Sequence, residues 1–456
     1  MGLPAFAAGP PLPSPDSLRY PPLHFQVPRP ETAVLDNGIT LFFYEDHELP
    51  LVKVTALVRI GSVYDPEGKE GLADLTGQLL REGGTKGMKS TEIDDTLEQL
   101  AIELESGIST ELGSISLSVL TKDLDRGLDV FARIIREPAF EEAKINLVKS
   151  LKLEDIRRIV DSPQRFAFRE FNRVIYQNHP RGRVATLASV SGIGRDDLVA
   201  FHRRFFRPAN IMIAISGDIT KQEAINRITR AFGDWKEEGP IPAPPPPVPR
   251  QRGGVYYLAK KTPQSVVVIG QRAPSFLSED TYPFGVFDFI IGSGGFPSRI
   301  FQEVRTNEGL AYSAGSFYRP RTTDGVFGAY AFTKSATTGK ALSMIRAIVR
   351  NGSGRPIAAQ ELAWAKKAVD SGFIFSFTSA HQIAYQQMKI AYDGLPKDYM
   401  ETYLGKIDAV SLDDLARVKD QYLLPEEEII FVMGNDEALK QLKIEFKDII
   451  VREGLL

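Results

Sequence analysis

The chain of 456 residues contains no cysteine. Disulfides, thiolate metal sites and cysteine nucleophiles are thereby excluded together. The compartment stays open, because a chain without thiols suits either redox state. Histidine is scarce: His24, His47, His179, His202 and His381 are all there are. No two are spaced like metal ligands one helical turn apart, and packing or surface roles are expected for each. There is no G-x-S-x-G elbow and no phosphate-binding P-loop. No basic run is long enough to suggest nucleic acid, and the net charge is −3. No apolar run approaches the roughly 20 residues of a membrane helix. Ile211 to Ser216 ("IMIAIS") is short and strand-like.

What is present is an ordinary globular composition, 43 % hydrophobic and 25 % charged. The length calls for more than one core. The opening "MGLPAFAAGPPLPSP" lacks a basic and a long apolar region, but Ala5–Ala7 is an A-x-A string of the kind signal peptidases cut. An exported, periplasmic chain is expected, with a cytoplasmic protein carrying a proline-rich arm as the alternative. Phe6 stands where a myristoylation signal needs Ser or Thr. The clearest punctuation is "GPIPAPPPPVPRQRGG", Gly239 to Gly254. Its prolines lack amide donors and favour extended backbone, so it reads as a linker. The resulting division is an arm over 1–30, a domain over 31–236, a linker over 237–254 and a second domain over 255–456.

The two domains read as copies. "DDLVAFHRRFFRPANIMIAISGD" (Asp196 to Asp218) and "DDLARVKDQYLLPEEEIIFVMGN" (Asp413 to Asn435) share a pattern of helix, proline stop and apolar strand closed by glycine. Asp197, Leu198, Pro208 and Gly217 match Asp414, Leu415, Pro425 and Gly434 at a constant offset of 217 positions. An ungapped offset argues for duplication. Within the first copy, Val52 to Ser62 is strand-like and Gly71 to Gly84 a short helix. Ile93, Leu97, Leu100 and Leu104 recur at helical spacing behind a cap at Thr91. Gly113 to Thr121 alternates serine with Ile115, Leu117 and Val119, a half-buried strand. Helices follow from Leu124 to about Tyr176, and Thr220 with Glu223 forms a capping box. The expected class is α+β: two homologous domains, each a mainly antiparallel sheet with helices packed on one face.

"SRIFQEVRTNEGLAYSAG" (Ser298 to Gly315) reads as a helix, a turn and a strand, with Arg305 near the helix end and Tyr312 at the strand start. Alone, such residues usually serve the helix dipole and packing. The preceding "GSGGFPS" (Gly292 to Ser298) is glycine-rich but lacks the Walker lysine. The whole string "GGFPSRIFQEVRTNEGLAYSAGSFY" resembles the C-terminal-domain signature of the inverted-zincin peptidases, which include pitrilysin, insulin-degrading enzyme and mitochondrial processing peptidase. "LDNGITLFFYED" (Leu35 to Asp46) and "GSVYDPEGKEGLAD" (Gly61 to Asp74) resemble that family's opening hairpin and its approach to the catalytic helix.

Active members carry H-x-x-E-H on that helix. Here the five positions are Asp74, Leu75, Thr76, Gly77 and Gln78, and the family's third ligand, a glutamate, falls at Asp155. The resemblance therefore implies a degenerate zinc site, with no metal held by this chain. Asp74, Gln78 and Asp155 as an oxygen cluster for calcium or magnesium, and the same three as a solvated remnant, are both open readings. Arg305 and Tyr312 are the pair that, in the family, reaches the substrate backbone, and Gly292, Gly294 and Gly295 are expected to border the substrate or to pack the helix start. The implied function is the non-metal, substrate-binding subunit of a heterodimeric zinc peptidase. A homologous partner would bear the intact motif and the zinc, and unfolded peptide would be the substrate. The alternatives are a structural or assembly subunit and a peptide-capturing module.

Overall fold

A computed structural model describes residues 27–455 apart from 237–238, 241–242, 244 and 251. Most of the N-terminal arm, with Ala5–Ala7, Phe6 and His24, lies outside the described residues. Six strands make the first sheet: β1 (Glu31–Val34), β2 (Thr40–Glu45), β3 (Leu51–Val58), β4 (Glu103–Ile108), β5 (Gly113–Leu120) and β6 (Ile211–Gly217). Six more make the second: β7 (Gly254–Ala259), β8 (Gln264–Ala273), β9 (Ala311–Pro320), β10 (Gly325–Lys334), β11 (Ile429–Gly434) and β12 (Ile449–Arg452). The spatial orders are β1-β2-β6-β3-β5-β4 and β12-β7-β11-β8-β10-β9. They are one topology, except that the outer edge strand comes from before the first repeat and from after the second. Each sheet is mainly antiparallel; β2 with β6, β7 with β11 and β7 with β12 are the parallel pairs.

Among the described residues the first half has eight helices: α1 (Leu72–Glu82), α2 (Ser90–Gln99), α3 (Leu124–Arg136), α4 (Glu142–Arg158), α5 (Pro163–Tyr176), α6 (Leu187–Ser191), α7 (Arg195–Phe205) and α8 (Lys221–Phe232). The second half has α9 (Thr281–Asp288), α10 (Thr338–Asn351), α11 (Ala359–Ile374), α12 (Ala380–Asp393), α13 (Tyr399–Ala409), α14 (Leu412–Tyr422) and α15 (Asp436–Glu445). The offset of 217 carries α5 onto α12 and α7 onto α14 without a gap. One expectation needs correction. The second helix starts a residue before Thr91, with the Glu92 carboxylate accepting from the Lys89 amide at 2.7 Å. It ends at Gln99, because Ala101 turns to φ 50°, and Leu104 belongs to β4. Period-2 alternation on β4 begins where the helical spacing merely happens to continue.

Each sheet buries one face against its own helices. Val52, Val54, Ile115, Leu117, Ile213 and Ile215 meet Leu75, Leu79 and Phe131 in the first half. Val267, Ile269, Phe327 and Val432 meet Phe287, Ile345 and Val418 in the second. The opposite faces are covered by exchange. Helix α5 of the first half lays Phe166, Phe171 and Ile175 on Val268 and Phe431 of the second sheet. Helix α12 of the second half lays Ala384, Met388 and Tyr392 on Phe42, Leu57 and Ala214 of the first. Strand β11 is buried along its whole length in consequence. The proline-rich segment is pinned between the halves: Val248 is buried, its amide donates to Asp324 at 3.2 Å, and the Pro246 carbonyl meets His179 Nε2 at 2.7 Å.

Candidate functional site

Helix α1 begins at a left-handed Gly71, φ 103°. The first amides of a helix lack intrahelical acceptors. Here the Asp65 carboxylate accepts from Gly71 at 2.8 Å and from Ala73 at 2.9 Å. Burial pushes Asp65 up to about 7, against those two bonds. One turn on stand the degenerate positions. Asp74 pairs with Lys152 of α4 at 2.7 Å. Asp155 pairs with Arg165 of α5 at 3.1 Å. Each carboxylate is thus matched to its own cation. Gly77 is pressed against the edge strand: a Cβ there would lie 2.4 Å from the Ile108 amide nitrogen and 2.9 Å from the Gly107 carbonyl carbon. The Ser106 hydroxyl donates to the Gly77 carbonyl at 2.6 Å. Strand β4 rests directly on the helix where the family carries its glutamate.

These residues do not fit zinc. The metal wants several imidazole, thiolate or carboxylate donors converging on one point. Gln78 offers only an amide, and both acids are engaged by cations. Among the described residues no three His, Asp or Glu side chains are grouped to hold an ion. The described histidines serve elsewhere. His202 is stacked on Phe206, with its Nε2 at 2.8 Å from the Ile135 carbonyl, and burial lowers it to about 4. His381 sits between the hydroxyls of Thr55 (2.8 Å) and Ser216 (3.0 Å), also lowered to about 4 by burial. His47 is exposed between Glu45 and Asp218.

The second half repeats the glycine contact. Gly292 lies in a wide π-type turn, Phe289–Ser293, and a Cβ on it would meet the Ser316 amide nitrogen of β9 at 2.4 Å. Gly294 faces the Phe289 carbonyl and the Trp364 ring. Gly295, at φ 73°, has open space around it. A second wide turn, Phe301–Asn307, carries Arg305 near its end. Such turns add a residue to the helical circuit and are frequent at functional sites. Tyr312 falls at a bulge in the β9–β10 ladder, where Phe332 pairs with Ser313 and Thr333 with Ala311. The extra residue of a bulge is freed from the ladder and re-aimed. Tyr312 is accordingly 78 % exposed. The Arg305 guanidinium lies 4.5 Å from the Phe301 ring and 5.7 Å from the Tyr312 ring. Among the described residues, neither Arg305 nor the Tyr312 hydroxyl has a hydrogen-bond or ionic partner.

A charged hub that the sequence reading missed ties the halves together. Arg181, almost fully buried, reaches Glu111, Asp324 (2.8 Å) and Thr323 (3.1 Å). Arg321 joins Glu111 at 3.2 Å, and Arg272 lies 3.6 Å from Asp324. These residues come from four distant stretches of chain, so no local pattern announces them. Arg181, Glu111, Arg321 and Thr323 border a cavity of about 520 Å³ between the halves, with Arg59, Tyr64 and Tyr392.

Residues 43–186 match the family described as Insulinase (Peptidase family M16), and residues 192–369 match the Peptidase M16 inactive domain. The chain belongs to the M16 peptidase family. Within it, the chain is of the inactive type. It is 26 % identical to the non-peptidase homolog YmxG of Helicobacter pylori over 83 % of this chain and 87 % of that one. It is 24 % identical to the beta subunit of the mouse mitochondrial-processing peptidase, over 92 % and 87 %. A crystal structure of a peptidase M16 inactive domain from Pseudomonas fluorescens superposes with a TM-score of 0.82 at 22 % identity, covering 89 % of this chain and 98 % of that one.

Proposed function

We propose that this chain is the non-metal subunit of a two-chain zinc peptidase. A homologous partner supplies the H-x-x-E-H motif and the metal, and this chain supplies Arg305 and Tyr312 to the bound peptide. The observation that carries the reading is the contrast within the molecule. Among the described residues the two donors are unpaired and surface-held, while the helix that bears the metal motif in active relatives has matched acids and a sealed glycine. A guanidinium and a phenol suit a peptide carbonyl that gains negative charge as it is attacked. Held on a helix end and a strand, they need little reorganisation. Pairing is supported by size as well. This chain covers only 47 % of PqqL, a periplasmic protease of Escherichia coli with the same fold, so two such units fit in that one chain. No helix of the described residues is long and apolar enough to cross a membrane. Export of the complex is part of the proposal and rests on the Ala5–Ala7 string.

The test is co-purification from the periplasmic fraction of the native source, then cleavage of an unstructured peptide by the separate and combined chains. The combined chains cleave and this chain alone does not. Arg305→Ala and Tyr312→Phe each lower turnover on the order of 10²-fold while the complex stays assembled. Equal cleavage by the unpaired chain, or an unchanged rate in both variants, overturns the proposal. A second reading, peptide capture without cleavage, is favoured by β4, an edge strand paired only with β5 in its sheet. Extended peptides add to such edges. Peptide binding with no cleavage by the combined chains selects it.

A further inference from the structure

We propose that the cavity between the halves binds an organic carboxylate carried on an apolar body, with Arg59 and Lys389 taking the carboxylate. The site lies within this chain and is independent of the peptide-site reading above.

The cavity, about 520 Å³, is of small-molecule size. Such sites usually measure roughly 300–1,000 Å³ and concentrate at domain interfaces. Its charges do not balance. Four cations line it, Arg59, Arg181, Arg321 and Lys389, against two acids, Glu111 and Asp393. Glu111 is shared by Arg181 and Arg321. Asp324, outside the lining, is shared by Arg181 and Arg272. Asp393 is taken by Lys389, one turn back on α12.

Arg59 is left without a carboxylate among the described residues. Its guanidinium donates to the Tyr392 carbonyl at 2.6 Å and lies 4.7 Å from the Tyr392 ring. Lys389 Nζ lies 5.4 Å from the same ring, so two cations gather at one side chain of the wall. Positive charge held away from water is costly until an anion matches it. A cationic cleft with low-dielectric walls focuses its field on the anion that enters. A guanidinium can meet a carboxylate with two parallel donors.

The body of the ligand follows from the rest of the wall. Leu112, Phe276, Leu277 and Pro320 are apolar. Tyr64 and Tyr392 add ring surface, since their hydroxyls donate to the Ala243 and Glu111 carbonyls at 3.0 Å and 2.7 Å. A bare inorganic anion leaves that surface uncovered, whereas an arylalkyl or branched aliphatic acid covers it. Two sources offer this chemistry: a free small acid and the C-terminal residue of a peptide. The second is within reach, because Ser109 and Leu112 also border the groove that holds Asp74 and Glu105. Arg59 follows β3 and Tyr392 lies on α12, so a bound acid touches both halves.

The test is calorimetric titration of the purified full chain with phenylpropionate and with its neutral amide. The acid binds more tightly than the amide by on the order of tenfold and raises the melting temperature. Arg59→Met, which keeps an apolar contact with the Tyr392 ring, brings the acid's affinity down to that of the amide. Lys389→Glu, at a half-buried position, does the same, and it decides the matter where Arg59→Met lowers the melting temperature of the unliganded chain. If Gly-Gly-Phe with a free terminus binds like the acid while its amidated form does not, the carboxylate belongs to a chain end. Binding by phenylpropionate alone assigns it to a small acid. Equal affinity for acid and amide, no binding by either free carboxylate, or full acid affinity in Lys389→Glu overturns the site. Inorganic phosphate binding as tightly as phenylpropionate overturns the apolar body, and with it the proposal.

Discussion

On the face away from its own helices, the first sheet carries the row Thr55, Ser116 and Glu105 across β3, β5 and β4. In the second sheet the corresponding row is Val268, Tyr330 and Gly315 across β8, β10 and β9. Beside the first row a groove stays open along Asp74, Glu105 and Ser114. Over the second, Phe168 of α5 packs edge-on against Phe317, Tyr330 and Phe332 at 5.7–6.4 Å. The duplicated frame is the same, yet one copy keeps a polar wall open at Ser116 and Glu105, with Thr55 buried beneath His381, and the other fills that space with aromatics. Duplication preserved strand order and helix exchange, which need only an apolar pattern. The chemistry of the inner walls was free to diverge, because each wall faces a different helix or none.

The helix exchange gives the sharpest test of that asymmetry. Phe171 of α5 and Met388 of α12 occupy equivalent positions in the repeat, both fully buried. Phe171→Ala is expected to cost about 4 kcal/mol and Met388→Ala about 3 kcal/mol, since the aromatic seam buries more area. Urea unfolding followed by fluorescence checks both, and a larger loss at Met388 breaks the comparison. The glycine contacts come next. Gly77→Ala and Gly292→Ala each force a Cβ to within 2.4 Å of a backbone nitrogen. Each is expected to cost about 3 kcal/mol by displacing the edge strand. Adding Asp74→His and Gln78→His to Gly77→Glu yields no stoichiometric zinc by metal analysis, because the strand must move first. Tight zinc binding there would show that β4 yields easily.

The smallest effect concerns His381, whose counterpart in α5 is Gln164. Burial, helped by Lys53, lowers His381 to about 4. A histidine held neutral contributes stability above its ordinary value near 6.5, and that contribution fades as pH falls toward the folded value. Asp65 and Asp288, raised by burial to about 7 and about 6, act with the opposite sign in the same range. The readout is therefore the difference between wild type and His381→Gln. Between about pH 7 and about pH 5.5 the wild type should lose about 1 kcal/mol more than the variant. Parallel stability curves would show that Thr55 and Ser216 do not depend on the imidazole's charge.

Much of this was legible in the chain. Helices, strands and the repeat followed from local periodicity, capping residues and a constant offset, all of which are properties of neighbouring residues. Leu104 misled because its spacing fits a helix and a strand equally, and only the turn at Ala101 separates them. The seam was hidden for a different reason. Phe171 and Ile175 mark α5 as apolar but do not say which sheet it covers, and Arg181, Glu111 and Asp324 are too far apart in sequence to signal one another.

The sequence by itself determined that α1 carries no imidazole, as residues 74 and 78 are Asp and Gln and no folding can change the donors they offer. It equally determined the doubled architecture. Only the tertiary structure decided that the edge strand closes on Gly77, and that Arg305 and Tyr312 meet at the surface with their donors unspent. Those outcomes depend on a bulge, two wide turns and the packing of strands on helices, and each is settled by contacts between residues that no local pattern connects.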